Sequence, residues 1–264
     1  MSITAGKSAS PVFKVHSAGI TDVGRKRNHN EDSYLIDDEL QLYVVADGMG
    51  GHAGGGTASR IAVETIDREL RSAREGGESP FRLNVPLQDS PLPEAIRNAV
   101  ESACLAIFSA AQDDPRLAGM GTTVIALLVK GHQAFFAHVG DSRAYLIRGD
   151  LIQQISEDHS LVNEQIKAGM ITPEEAKHSR YKNIITRSVG FEEEVQVDVM
   201  GLTLEPGDTF VLCSDGLANM VDDEELRQVV DRTPLESAPQ KLVELANERG
   251  GDDNITVIVV RAEA

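Results

Sequence analysis

Two apolar runs in this sequence stop at the same dipeptide. Leu42-Tyr43-Val44-Val45-Ala46 leads into Asp47-Gly48, and Phe210-Val211-Leu212-Cys213-Ser214 leads into Asp215-Gly216. A third run, Phe136-Ala137-His138-Val139-Gly140, ends at Asp141, and Asp252-Asp253-Asn254 stands just ahead of a fourth. Asp and Gly are common turn formers, so each of these alone reads as a turn. Together they read differently, because strand ends deliver side chains into a shared cleft. Carboxylates converging to about 4 Å repel by roughly 4 kcal/mol per pair at an effective dielectric near 20, so such a cluster needs cations. All-oxygen ligation suits hard ions such as Mg²⁺ or Mn²⁺, and the lack of Cys/His ligand pairs argues against structural zinc. The glycine after each aspartate lets a backbone carbonyl approach a metal with no side chain in the way. Two ions sharing a carboxylate can hold a hydroxide between them and stabilise both oxygens of an in-line displacement at phosphorus, which is hydrolytic phosphoryl transfer.

The segment Arg25-Lys26-Arg27-Asn28-His29-Asn30-Glu31-Asp32 supplies the other half of that chemistry. An arginine grips a dianionic phosphate with two parallel hydrogen bonds, which a lysine cannot do. Glu31 and Asp32 are consecutive at a strand start and so point to opposite faces, with different jobs. The plainer reading of the segment is a solvated basic cluster. A rival use of Gly48-Met49-Gly50-Gly51-His52-Ala53 is the G-x-G-x-x-A turn of a dinucleotide-binding unit. That unit needs a second parallel strand bearing an acid soon after its helix, whereas here a polar insert and another helix follow, and Asp47 would face the pyrophosphate. A cysteine-nucleophile phosphatase needs an Arg six residues after its Cys, and Cys213 has Asn219 there.

Strand-like segments position these acids: residues 13–17, 33–36, 41–46, 122–129, 133–139, 143–147 and 151–155, then 195–202, 209–213 and 255–261. Turn signals at Asp37-Asp38-Glu39, Lys130-Gly131-His132 and Arg148-Gly149-Asp150 favour antiparallel neighbours. One amphipathic helix gathers Ala58, Ile61, Ala62, Thr65, Ile66 and Leu70 on a face, and a second, starting near Pro91 and Pro93, gathers Ile96, Ala99, Val100, Ala103 and Ile107. Two more helices are expected over about 222–232 and 235–249. Residues 75–90 between the first pair read as an inserted surface loop, and 160–183 as an irregular stretch with short helical pieces. Separate runs of strands and helices indicate an α+β fold.

At 264 residues the chain suits one large domain with a sizeable core. Its longest apolar run, 124–129, falls far short of the roughly 18 residues of a membrane span, so a soluble protein is expected. Residues 1–11 lack the apolar region of a secretory signal and read as a loose tail. Two cysteines, Cys104 and Cys213, make no disulfide framework and suit buried thiols in a reducing cytoplasm. A net charge of −17 argues against a nucleic-acid partner, whose phosphates need clustered Lys and Arg.

The ordered set Arg27-x-x-Asn30-Glu31-Asp32, Asp47-Gly48-Met49-Gly50-Gly51-His52, Gly121-Thr122-Thr123, Gly140-Asp141-Ser142-Arg143, Thr186-Arg187-Ser188-Val189-Gly190, Ser214-Asp215-Gly216-Leu217 and Asp253-Asn254 resembles the type 2C (PPM) metal-dependent serine/threonine phosphatases in their compact bacterial form. The resemblance implies one phosphatase domain over 12–264, a four-layer αββα sandwich with two central antiparallel sheets flanked by helix pairs, and metals in a cleft at one end. By position it implies that Asp47 bridges two ions, that the Gly48 carbonyl, Asp215 and Asp253 complete their shells, and that Glu31 and Asp32 act mostly through waters. Arg27 resembles the substrate-phosphate clamp, and Asp141, with Asp215, a third and weaker metal site. The implied cofactor is Mn²⁺ or Mg²⁺, two tight ions and a weaker third. The implied partners are phosphorylated Ser/Thr proteins and a Ser/Thr kinase whose signalling is reversed, with no membrane and a monomeric state. Residues 160–183 correspond to a flap beside the cleft. Animal members place a histidine directly after Asp-Gly as candidate general acid; here Met49 stands there and His52 lies three residues on. The leaving-group proton is left to a metal-bound water or to His52, while His159 reads as structural. A catalytically inactive phosphoprotein-binding module of the same fold is the alternative.

Overall fold

Alternation along the strands sorts their side chains into an inner and an outer set, and two antiparallel sheets follow from it. The computed structural model describes residues 13–50, 54–76, 79–82 and 85–263; the expected tail, 1–11, lies outside the described residues. One sheet runs β1 (Lys14–Asp22), β11 (Ile255–Glu263), β10 (Thr209–Cys213), β7 (Arg143–Arg148), β8 (Leu151–Gln154). The other runs β2 (Asp32–Asp37), β3 (Leu42–Met49), β5 (Val124–Lys130), β6 (Gln133–Val139), β9 (Asp198–Thr203), with β4 (Gly121–Thr122) paired to the end of β3. The three turn signals read in the sequence join β2 to β3, β5 to β6 and β7 to β8.

Four layers result. Tyr43, Val45, Ile125, Leu127 and Phe136 of the second sheet meet Ala144, Phe210, Leu212, Ile258 and Val260 of the first, with Phe136 and Phe210 edge to face at 5.4 Å. The alternate residues Val44, Ala46, Ala126, Leu128 and Phe135 face outward beneath helices α1 (Gly54–Glu75) and α2 (Leu92–Asp113). On the other side Tyr145, Val211, Cys213, Val257 and Val259 lie under α6 (Asp223–Arg232) and α7 (Ala238–Glu248). Short helices α3 (Leu161–Lys167), α4 (Pro173–Lys177) and α5 (Asp215–Ala218) complete the set of α-helices. The expected helix faces are buried except Ile61, which packs at the margin of its stripe. Cys104 and Cys213 are free and buried.

The structure corrects several boundaries. The strand expected over 122–129 is broken at Thr123, where hydrogen bonding switches to Asp47. The strand expected over 195–202 starts only at Asp198, because Val195 and Val197 pack against the α1–α2 core instead. The 75–90 segment is partly anchored rather than a free loop: Phe81 is buried in that core and Gln133 Nε2 donates to the Val85 carbonyl at 3.1 Å. After β3 the chain runs through α1 and α2 into antiparallel pairing, which excludes the parallel unit of the dinucleotide reading. Among the described residues no helix is long and apolar enough to cross a membrane.

Candidate functional site

Asp47 sits in β3 opposite Asp32 of β2, and its strand runs two residues further because β4 pairs with Gly48 and Met49. Three contacts fix its backbone: Thr123 N donates to the Asp47 carbonyl at 2.8 Å, Thr122 Oγ1 donates to the same oxygen at 2.8 Å, and Asp47 N donates to Thr123 Oγ1 at 3.0 Å. Thr123 Oγ1 in turn shares a 2.6 Å hydrogen bond with Ser142 Oγ, next to Asp141. Asp215 does not end a strand as the sequence suggests. It is the first residue of α5, behind Ser214, and its carboxylate accepts from Asn219 Nδ2 at 3.1 Å. Asp253 is set by Asn254, whose Oδ1 accepts from Glu31 N at 2.8 Å and whose Nδ2 donates to the carbonyls of Val23 and His29 at 2.9 Å each.

Asp141 is aimed by two devices. Gly140 has φ +107°, and a Cβ there would lie 2.6 Å from that of Thr123, so only glycine passes. Its amide donates to His159 Nδ1 at 3.0 Å while its carbonyl accepts from His159 N at 2.8 Å. Because Nδ1 accepts, the ring proton is on Nε2, which faces Asp198 Oδ2 at 3.1 Å. Burial lowers the pKa of His159, and that of the adjacent His138 falls to about 4, from burial first and the neighbouring imidazole second. The two rings lie 4.8 Å apart. His159 therefore holds a neutral ring in place, as its structural reading required.

The electrostatics report convergence. Burial, followed by the charges of Asp32, Asp215, Asp141 and Asp253, holds the Asp47 carboxyl well above the usual carboxylate range. Burial likewise lifts Asp32 to about 7, Asp141 to about 7 and Asp215 to about 6, with the charges of Asp215 and Asp253 adding at Asp32, Asp215 at Asp141, and Asp253 at Asp215. Arg27 and Arg143 oppose the shift at Asp215. Arg27 Nη2 pairs with Asp253 Oδ2 at 2.6 Å, and Arg143 is held by Asp158 through contacts of 3.0 and 2.7 Å.

Five of the expected acids are thus brought together, and two refinements follow. Asp32 is buried: its Oδ2 accepts from Ser214 Oγ at 2.8 Å, at the head of α5, and from Thr256 Oγ1 at 2.6 Å, on the opposite sheet. Glu31 stands to one side, its backbone against Gly48 and its Oε1 close to Gly55 at the start of α1. A Cβ on Gly48 would lie 2.1 Å from the Gly55 carbonyl oxygen, so this strand–helix approach needs bare backbone. His52 lies outside the described residues. Sequence reading missed Thr123, Ser142, Arg143, Asp158 and Asp198 as supports; the first three stand inside the quoted motifs with no role assigned, and Asp158 and Asp198 lie outside them.

Among the described residues no three acid, histidine or cysteine side chains already close around one point. The donors nevertheless fit hard divalent cations. Glu31 Oε1, Asp32 Oδ1, Asp141 Oδ1 and Asp215 Oδ1 are buried with no hydrogen-bond partner among the described residues. Such orphaned oxygens cost about 1–3 kcal/mol each or more, and an oxygen-seeking cation offsets that cost.

Comparison with known proteins agrees with this donor set. The family described as Protein phosphatase 2C matches residues 24–254. The chain is 40% identical over 250 residues to Protein phosphatase PhpP of Streptococcus pneumoniae serotype 2, covering 91% of this chain and 95% of that protein. The crystal structure of the Mycobacterium tuberculosis serine/threonine phosphatase PstP/Ppp superimposes with a TM-score of 0.84 at 33% identity, covering 95% of this chain and 99% of that one. A catalytic domain of the serine/threonine protein phosphatase PstP in complex with two manganese ions gives a TM-score of 0.83 at 33% identity, over 96% of this chain and all (100%) of that one.

Proposed function

The chain belongs to the protein phosphatase 2C family, and on that footing we propose that it hydrolyses phosphoserine and phosphothreonine in proteins with divalent cations held by the cleft acids. The observation that carries the reading is the set of buried carboxylates around Asp47, four oxygens of which lack any other partner among the described residues. Asp47, the Gly48 carbonyl, Asp215 and Asp253 would hold two divalent cations, with Glu31 and Asp32 acting mostly through waters, and Asp141 with Asp215 would hold a weaker third. Mn²⁺ or Mg²⁺ suits this oxygen-only set, and a PstP structure that holds two manganese ions supports manganese. Bound cations would neutralise the carboxylates and acidify a water that attacks phosphorus.

The chain's own residues do the rest. Arg27, half exposed beside Asp253, grips the phosphate oxygens and aligns the ester for in-line attack. Asp47 is immobilised from both sides of its peptide by Thr122 and Thr123, so the acid does not reorganise as charge develops. His159 positions Gly140-Asp141 and, with both ring nitrogens engaged, does not supply the leaving-group proton. All the acids an active member needs are present, which disfavours an inactive binding module. We assign phosphorylated Ser/Thr proteins as substrates, with an opposing Ser/Thr kinase, a monomeric state and a cytoplasmic setting.

Protein stripped with a chelator should be inactive on p-nitrophenyl phosphate and on a phosphothreonine peptide, and should recover with Mn²⁺ or Mg²⁺. Asp47→Asn and Asp253→Asn should each lower turnover by about 100-fold or more while the fold survives in circular dichroism. Full turnover in metal-free protein would overturn the reading.

A further inference from the structure

Just after the 160–183 segment in the chain lies a groove of about 350 Å³, lined by Met49, Ile185, Phe191 and Val195, with Glu192 and Glu194 also along it. Met49 and Asp47 are two residues apart in β3 and share a face, which puts the mouth of the groove about 7 Å from the acid cluster. Phe191 is 61% exposed although its loop is firmly held. Thr122 and Val189 exchange backbone hydrogen bonds of 3.0 and 2.8 Å, Gly190 N donates to Cys104 Sγ at 3.2 Å, and Cys104 Sγ donates to the Glu192 carbonyl at 3.3 Å. Thr122 is also the residue whose hydroxyl bonds the Asp47 carbonyl, so the groove and the acid cluster hang from one support.

The charge of the groove is unbalanced. Among the described residues its one lining cation, Arg187, is engaged by Asp198 Oδ1 at 2.9 Å and the Gln196 carbonyl at 3.1 Å. Glu192, Glu193 and Glu194 are exposed, and among the described residues their carboxylates form no ion pair. A preformed apolar slot with three uncompensated carboxylates complements a cation on an aliphatic stem.

We propose that this groove is a docking subsite for the substrate chain beside the phosphorylated residue, selective for lysine or arginine. An extended chain advances about 3.3 Å per residue, so the favoured cation stands roughly two to four residues from the phosphoresidue, on one side of it. The aliphatic stem lies along Phe191 and Met49, and the charged end meets the glutamates. This subsite rests on the phosphatase reading above and adds a sequence preference to it.

The test is a set of phosphothreonine peptides in which one lysine, or one glutamate, is walked from four residues before to four after the phosphothreonine. They are assayed with Mn²⁺-loaded protein at low salt, alongside p-nitrophenyl phosphate. Wild type should favour lysine over glutamate by about three- to ten-fold in kcat/KM at positions on one side, and the preference should shrink as salt is added. The exposed triple variant E192Q/E193Q/E194Q should reduce the ratio to within about two-fold, and Phe191→Ala should lower kcat/KM for the lysine peptides. Both variants should hydrolyse p-nitrophenyl phosphate like wild type. Equal rates at every position, glutamate favoured on both sides of the phosphothreonine, or a lysine preference unchanged in the triple variant would overturn the subsite alone. Failure of wild type on every substrate would instead overturn the phosphatase reading beneath it.

Discussion

Arg27 serves two charges with one side chain. It is half exposed and pairs with Asp253 at 2.6 Å, an arrangement worth about 0–1 kcal/mol to stability in the folded chain. In the cleft it opposes the repulsion around Asp215, and on the proposed function it would present a planar fork to an incoming phosphate. Arg27→Ala should therefore leave melting temperature and Mn²⁺ affinity nearly unchanged while weakening inhibition by inorganic phosphate about ten-fold or more. Unchanged phosphate inhibition in that variant would remove the clamp assignment. The acids themselves were legible because Asp47, Asp141 and Asp215 end apolar runs and Asp253 stands just ahead of one, a local pattern. Their supports were not, since Thr123 with Ser142 and His159 with Asp198 meet across 19 and 39 residues of chain, a distance that no local pattern encodes.

At the scale of elements, the segment expected as a flap carries α3 and α4 and forms one wall of a larger groove, of about 840 Å³, with Asp141 and Asp215 at its floor and α5 opposite. Ser160 caps α3, and Thr172 with Glu175 forms a capping box on α4, so the short helical pieces expected in this stretch are capped helices. Lys177 and Lys182 line that groove, and His178 and Arg180 are exposed close by. Contacts made away from phosphorus affect substrates large enough to reach them. Changing His178, Arg180 and Lys182 together to Ala should lower kcat/KM several-fold for phosphopeptides with acidic flanks and leave p-nitrophenyl phosphate hydrolysis within about two-fold. Equal losses on both substrates would signal a disturbed acid cluster instead. The same scale shows where sequence patterns mislead: an apolar run ending in Asp-Gly ends a strand at neither Asp47, where β3 continues, nor Asp215, where a helix begins.

Taken whole, the molecule buries a cluster of acids whose protons it prefers to keep. An acid whose pKa is raised by folding stabilises the fold when protonated, and that contribution is lost as pH climbs through the raised value. With Asp215 raised from 3.8 to about 6 and Asp32 and Asp141 to about 7, metal-free protein should lose stability as pH rises from about 4 to about 7. His138, depressed from 6.5 to about 4, works the other way and offsets part of the loss below 6.5. The decline should continue from pH 6 to 7 and flatten by about pH 8. Thermal melts in chelator at pH 6, 7 and 8 should show a falling melting temperature, and saturating Mn²⁺ should abolish the fall, because ion binding displaces the same protons. A flat or rising melting temperature in chelator would contradict this account. The order β1-β11-β10 adds a temporal consequence. Of the described strands, β1 leaves the ribosome first and β11 last, yet β1 pairs within its sheet with β11 alone, and Asp253, Asn254 and Thr256 arrive with that closing strand. A nascent chain still tethered before residue 253 therefore lacks both a partner for its opening strand and part of its cleft, so on the proposed function no phosphate can be removed until β11 has emerged.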